Sequence, residues 1–174
     1  MLVVPEAGID PHYANVFAAP ADRYEDYIVH DLISDVERKF PAARGTRRAI
    51  VGASLGGVGA VRLALSNPSV FVFAGGISST IDDATRPSSP GGEAPPRALW
   101  TSRNGERRRS NDPFFLAGSV DPNRVPYIFL MCGDRERNWN ANVNFVKLLT
   151  QCHIPHEFRA VAGGGHNWTR YCQS

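Results

Sequence analysis

The sequence predicts an α/β fold, a mostly parallel sheet of about five strands with helices between them. Two observations carry the prediction. Short apolar runs flanked by small residues alternate along the chain with segments of helical periodicity. Those runs are apolar at consecutive positions, as in Ala49-Ile50-Val51 and Val70-Phe71-Val72-Phe73, which is the pattern of strands covered on both faces.

The elements follow in order. Met1-Leu2-Val3-Val4-Pro5 reads as a strand already under way, so an upstream segment is expected and the fold is expected to be truncated at its N-terminus. Tyr24, Ile28, Leu32, Val36 and Phe40, spaced by four with Ile33 alongside, mark one face of a helix, and Pro41 ends it. Ala49–Gly52 is the next strand. The Ala- and Leu-rich stretch from Gly56 to Leu65 favours a helix that stops at Asn67-Pro68. Val70–Ala74 is a buried strand running into Gly75-Gly76. Residues 82–112 hold Pro87, Pro90, Pro95 and Pro96 among serines and glycines, then a basic cluster at Arg103 and Arg107–Arg109. This reads as a long insertion or lid, not as a domain boundary. Val125–Met131 is a strand, Asn140–Cys152 a helix and Glu157–Val161 a last strand. With no internal repeat and no second hydrophobic run of domain size, residues 1–174 form a single domain.

Composition sets limits. The 174 residues are 43% hydrophobic and 21% charged, ordinary for a globular chain. No apolar run approaches the ~18 residues that cross a bilayer, so no membrane partner is expected. The net charge of +2, from 19 basic and 17 acidic residues, calls for no nucleic acid. Cys132, Cys152 and Cys172 have no CxxC spacing, so neither a disulfide framework nor a metal site is indicated. No basic-then-apolar leader follows Met1, which leaves a cytoplasmic location as the default.

The chemical signal is Gly52-Ala53-Ser54-Leu55-Gly56, a G-x-S-x-G. The pattern arises by chance in roughly one chain in fifteen of this length, so its setting carries the weight. A strand ends at Gly52 and a helix begins near Leu55, as a nucleophile elbow requires. Ser54 would sit on a strained tight turn, with side chains at 52 and 56 excluded by the neighbouring chain. The Leu55 amide, at a helix N-terminus, would face an incoming carbonyl oxygen. A serine needs a base. Among His12, His30, His153, His156 and His166, the last follows a late strand through three glycines and is the best placed. His30 falls within a helix, and His153 and His156 read as exposed loop residues. The acid should lie on the loop after Val125–Met131, where both Asp134 and Glu136 qualify by position. Trp139 and Trp168 could line an acyl or alcohol pocket, or could equally be packing aromatics.

These residues resemble the putative-esterase family of α/β-hydrolases, which includes tributyrin and feruloyl esterases, S-formylglutathione hydrolase and the mycolyltransferases. The matching pieces run in family order over most of the chain: Tyr24–Ile33, Gly52–Gly57, Asn111-Asp112-Pro113, Cys132-Gly133 with Ala141-Asn142 and Phe145, and Gly164–Trp168. The resemblance implies a three-layer α/β-hydrolase-like fold and a serine esterase with Ser54 as nucleophile and His166 as base. It implies Glu136, three residues after the Cys-Gly glycine, as the acid, where the family usually has Asp. It also implies an upstream His-Gly loop supplying a second oxyanion amide, which nothing before Met1 provides. The expected partner is a small-molecule ester; no cofactor is needed. The expected alternatives are a thioesterase or acyltransferase with the same triad, or a binding domain impaired by the absent loop. A sheet edge left unpaired could join two copies.

Overall fold

The computed structural model describes residues 1–5, 13, 23–81 and 111–167 (the side chain of residue 122 excepted). Four strands form one parallel sheet in chain order: β1 (Arg48–Ala53), β2 (Phe71–Ile77), β3 (Tyr127–Gly133) and β4 (His156–Val161). The helical elements are α1 (24–39), α2 (Leu55–Ser66), α3 (Pro113–Ser119) and α4 (Trp139–Gln151).

Among the described residues four strands stand where about five were expected. The difference is Met1–Pro5, which pairs with nothing among the described residues and is mostly exposed. An apolar run forms a strand only where a neighbour completes its ladder, and none is placed beside it.

The first helix departs from regular geometry. An α-turn at Tyr24–Asp26 passes into a π-helical stretch at Tyr27–Leu32 and then an α-helix at Ile33–Lys39. A strict spacing of four drifts around a 3.6-residue helix by roughly 40° per step. The wider π turn absorbs part of that drift and keeps Ile28 and Val29 in the core. Phe40, counted with the apolar face from its spacing, lies past the helix end and is 53% exposed.

The register places the strand ends together. Gly52 pairs with Gly76 and Ala53 with Ile77; Ile77 pairs with Met131, and Gly133 with Val161. β2 runs through Gly75 and Gly76, longer than its apolar run suggested, because Gly76 lets Leu130 and Ser79 approach closer than a Cβ would permit. β3 starts at Tyr127, just past Pro126, whose ring cannot donate to a ladder.

The core lies on one face of the sheet. Val58, Val61, Ala64 and Leu65 of α2, Ile28 and Val29 of α1, Ala117 of α3, and Phe145 and Leu149 of α4 pack with Ala74, Ile128 and Leu130. Phe114 meets Phe145 edge to face at 5.1 Å. Each such side chain contributes about 1.5–3 kcal/mol on burial. The expected cover on both faces is not what the described residues show. On the opposite face Val51 is 59% exposed, Phe73 stacks on the exposed Tyr127, and Arg159 lies over the Phe129 ring. Among the described residues, then, the second face of these strands is in part exposed.

A buried cation ties the helices together. Arg62 of α2 is fully buried. Its Nη1 donates to Glu25 Oε2 at 2.9 Å and to Asn111 Oδ1 at 3.2 Å, and its Nη2 to the Tyr13 carbonyl. Asn67 Nδ2 donates to the other Glu25 oxygen at 3.0 Å. Removing one member of a buried pair costs about 3–5 kcal/mol, and partial exposure of Glu25 sets the lower end. Arg62→Met should lower the unfolding free energy by about 3 kcal/mol, read as a fall in the urea midpoint at unchanged m-value.

Candidate active site

Ser54 links β1 to α2 with φ 54° and ψ −118°, a backbone conformation that costs of order 1–3 kcal/mol for a residue with a side chain. Neighbouring backbone holds it there. Its amide donates to the Ile77 carbonyl at 2.8 Å, and its carbonyl accepts from the amides of Gly57 and Val58 at 3.1 and 3.3 Å. The turn is so tight that a Cβ on Gly52 would stand 2.1 Å from the Gly56 oxygen. The second tight position is Gly57, where a Cβ would meet Ser79 Oγ at 2.3 Å. Gly56, expected to exclude a side chain, would meet only the Tyr13 hydroxyl at an ordinary 3.6 Å; what matters at 56 is the backbone carbonyl. The Leu55 amide is the first of α2 and has no acceptor within the helix. It carries the positive end of the helix dipole.

Ser54 Oγ lies 3.1 Å from His166 Nε2. His166 Nδ1 lies 2.9 Å from Glu136 Oε2. The Glu136 side chain is fully buried, while that of His166 is 50% exposed. Gly133 N–H donates to the other Glu136 oxygen at 3.1 Å. The carboxylate is an acceptor, so it draws the imidazole proton to Nδ1 and leaves the Nε2 lone pair facing the Ser54 hydroxyl. The structure thus brings Ser54, His166 and Glu136 into one line at the C-terminal rim of the sheet. Asp134, the other carboxylate on the loop, is exposed and accepts from the Gly163 amide at 2.8 Å. It fastens the loop that carries His166 and does not touch the imidazole.

The glycines before His166 serve a close contact between loops. A Cβ on Gly133 would stand 2.2 Å from the Gly164 oxygen. Arg135 N–H donates to that oxygen at 3.0 Å, and Asp134 N–H to Val161 O at 3.2 Å. The acid loop and the base loop therefore touch backbone to backbone.

The other candidates fall elsewhere. His30 and His153 are exposed. His156, read as an exposed loop residue, is half-buried and opens β4, where its Nδ1 lies 2.7 Å from the Ile154 carbonyl oxygen. Trp139 starts α4 with its ring 5.6 Å from that of Phe158. Trp168, Arg103, Arg107–Arg109, His12 and all but two residues of the 82–112 insertion lie outside the described residues. Of those two, Asp112 caps α3 by accepting from the Phe114 amide at 2.9 Å.

Sequence reasoning missed Ser78. It follows β2 directly, with φ 54°, and is buried. Its hydroxyl donates to Glu136 Oε2 and stands 2.8 Å from His166 Nδ1. The register Ala53↔Ile77 makes it the neighbour of Ser54 at the rim, a signal available only once strand pairing is known. Cys132 lies beneath the site, its thiol pushed up to about 12 by burial and by the negative charge of Glu136.

A family model described as "Putative esterase" matches residues 10–174. A ferulic acid esterase structure is 23% identical with a TM-score of 0.70, over 92% of this chain and 60% of that one. The substrate-bound fluorophosphonate-binding serine hydrolase F (FphF) of Staphylococcus aureus is 25% identical, TM-score 0.69, over 93% and 63%. An S-formylglutathione hydrolase of Agrobacterium tumefaciens is 20% identical, TM-score 0.72, over 92% and 57%. The chain thus spans about three fifths of the length of these structures.

Two outcomes follow from this geometry. Gly133→Ala drives a Cβ into the Gly164 backbone and should destabilise the fold by about 1–3 kcal/mol, measured by thermal unfolding. Buried, and with its thiol pushed up to about 12, Cys132 is a poor nucleophile at pH 8. Iodoacetamide should therefore spare Cys132 in the native protein and modify it on unfolding, as peptide mapping would show.

Proposed function

Since the chain belongs to the putative esterase family, we propose that it is a serine hydrolase of carboxylic esters, with Ser54 as nucleophile, His166 as general base and acid, and Glu136 as the carboxylate that orients His166. The 3.1 Å approach of Ser54 Oγ to His166 Nε2 carries this reading, because a serine hydroxyl becomes an effective nucleophile only beside a base.

The chemistry follows from the placement. Ser54 Oγ attacks the acyl carbon as its proton passes to Nε2. The carbonyl electrons move onto oxygen, and the Leu55 N–H donates to that oxygen. When the carbonyl re-forms, the bond to the alkoxide breaks and Nε2 returns its proton to the departing alcohol. The acyl group is now an ester of Ser54. Water enters beside the exposed face of His166, gives its proton to Nε2 and attacks the same carbon. Collapse restores the Ser54 hydroxyl and releases the acid. Glu136 keeps its charge throughout and stabilises the transient imidazolium. A helix-terminal amide contributes most when a second donor faces it, since loss of one donor typically costs ~10²–10³ in rate.

The same machinery acts on a thioester or hands the acyl group to an alcohol other than water. The structural likeness to an S-formylglutathione hydrolase favours including a thioester among the substrates tested. Short p-nitrophenyl esters, feruloyl esters and S-formylglutathione separate these acceptors and leaving groups.

A fluorophosphonate probe should label the wild-type chain and not Ser54→Ala. Labelling that persists in Ser54→Ala refutes the assignment. On the best ester of the panel, Ser54→Ala should lower kcat by ~10⁶ where the three residues act as a unit. Glu136→Gln should lower it by ~10⁴ by favouring the wrong imidazole tautomer. A chain that neither labels nor turns over any panel substrate would instead be a binding domain built on a hydrolase frame.

A further inference from the structure

We infer that Ser78 is a positioning residue for the acid–base pair: its hydroxyl, set between the buried Glu136 carboxylate and His166 Nδ1, locks both side chains in line with Ser54. This deepens the proposed function and rests on it.

The first support is contact. Ser78 Oγ donates to Glu136 Oε2, the oxygen that also faces His166. The same Oγ is 2.8 Å from His166 Nδ1. The imidazole Nδ1–H can therefore be shared between the carboxylate and the Ser78 oxygen, while the Ser78 proton goes to the carboxylate. All three groups form a closed triangle. Glutamate has one more rotatable bond than aspartate, so a single histidine contact leaves its carboxylate free to swing. Gly133 N–H fixes Oε1 and Ser78 fixes Oε2. Together these donors define the plane of a longer acid whose aim would otherwise be loose.

The second support is backbone. Ser78 holds φ 54°, a region in which glycine is comfortable and residues with side chains are not. Its amide donates to the Met131 carbonyl at 2.7 Å, extending the ladder one step past β2 and pinning this conformation. The conformation turns the side chain into the rim, beside a buried charge. A strained residue with a buried, bonded hydroxyl between two groups of a reactive constellation is where strain serves a function. Ser79 and Thr80, its buried neighbours, have hydroxyl oxygens with no partner among the described residues, so burial alone does not explain the contacts of Ser78.

The test compares Ser78→Gly with Ser78→Ala. Alanine keeps the Cβ, and so the backbone strain, of the wild-type serine, glycine relieves that strain, and both remove the hydroxyl. On a p-nitrophenyl ester both variants should lose on the order of 10–100-fold in kcat, the usual effect of deleting a hydrogen bond to a charged group or an outer partner of a site, with KM within about twofold. In the Glu136→Gln background, Ser78→Gly should cost markedly less, because much of its effect passes through the carboxylate. A role confined to the backbone gives a different pattern, in which Ser78→Ala, with the same Cβ at the same φ, matches wild type and only Ser78→Gly differs; that result overturns the inference. Proton NMR of the His166 Nδ1–H reads the triangle without turnover. Its downfield resonance should shift or broaden in Ser78→Gly and stay in place in Ser54→Ala. An unchanged resonance in Ser78→Gly also overturns the inference. If the wild-type chain hydrolyses nothing, the functional proposal fails and this resonance alone decides the role of Ser78.

Discussion

A buried carboxylate must find donors, and that requirement organises the rim of this sheet. The Glu136 side chain has no exposure to water. Left unpaired there, its charge would cost far more than any one contact in the core returns. The groups that meet it come from the ends of three different strands. Gly133 closes β3, Ser78 follows β2, and His166 hangs from the loop after β4. Those elements can reach one carboxylate only because the four strands are parallel and in register. The electrostatic demand of one side chain and the topology of the sheet are the same constraint seen at two scales.

Backbone contact supplies the precision. At the elbow, Gly52 lies so close to the Gly56 carbonyl that no side chain fits; at the other end of the rim, Gly133 meets Gly164 in the same way. These contacts involve main chain against main chain, which has no rotamers to relax. The serine and the imidazole are therefore positioned by atoms that cannot step aside. Asp134 adds to this by accepting from the Gly163 amide, turning a carboxylate that resembles a catalytic candidate in sequence into a fastener for the histidine loop.

The local chemistry was legible in the sequence where it depends on neighbours along the chain. G-x-S-x-G after an apolar run and each strand or helix lie within short windows of sequence, while the order serine, acid, histidine and the alternation of elements need only the order of the chain. What was hidden depends on pairing across the sheet. Ser78 has no motif around it; only the register Ala53↔Ile77 sets it beside Ser54. Asp134 and Glu136 could not be separated by spacing, since a two-residue step on a turn reverses where a side chain points. Phe40 and the π turn of α1 were invisible because a spacing of four suits two helix geometries almost equally. The apolar runs of the strands suggested cover on both faces, yet Val51 of β1 and Tyr127 of β3 are exposed among the described residues. Apolar sequence states what a strand tolerates, not what lies on it.

Stability and reactivity occupy separate parts of the molecule. The apolar core runs along one face, from Ile28 through Leu65 to Leu149. The two strained serines, 54 and 78, stand at adjacent strand ends, each amide bonded to the carbonyl of the next strand, Ile77 and Met131. Those two ladder bonds prolong regular sheet structure to the last residue before the strain begins. The cost of an unfavourable backbone is thus borne by the part of the sheet most able to carry it, where parallel strands buried under α2 leave no room to relax. A rim built this way keeps its hydroxyl groups pointed at one imidazole, and that makes the geometry at Ser54 a property of the sheet itself.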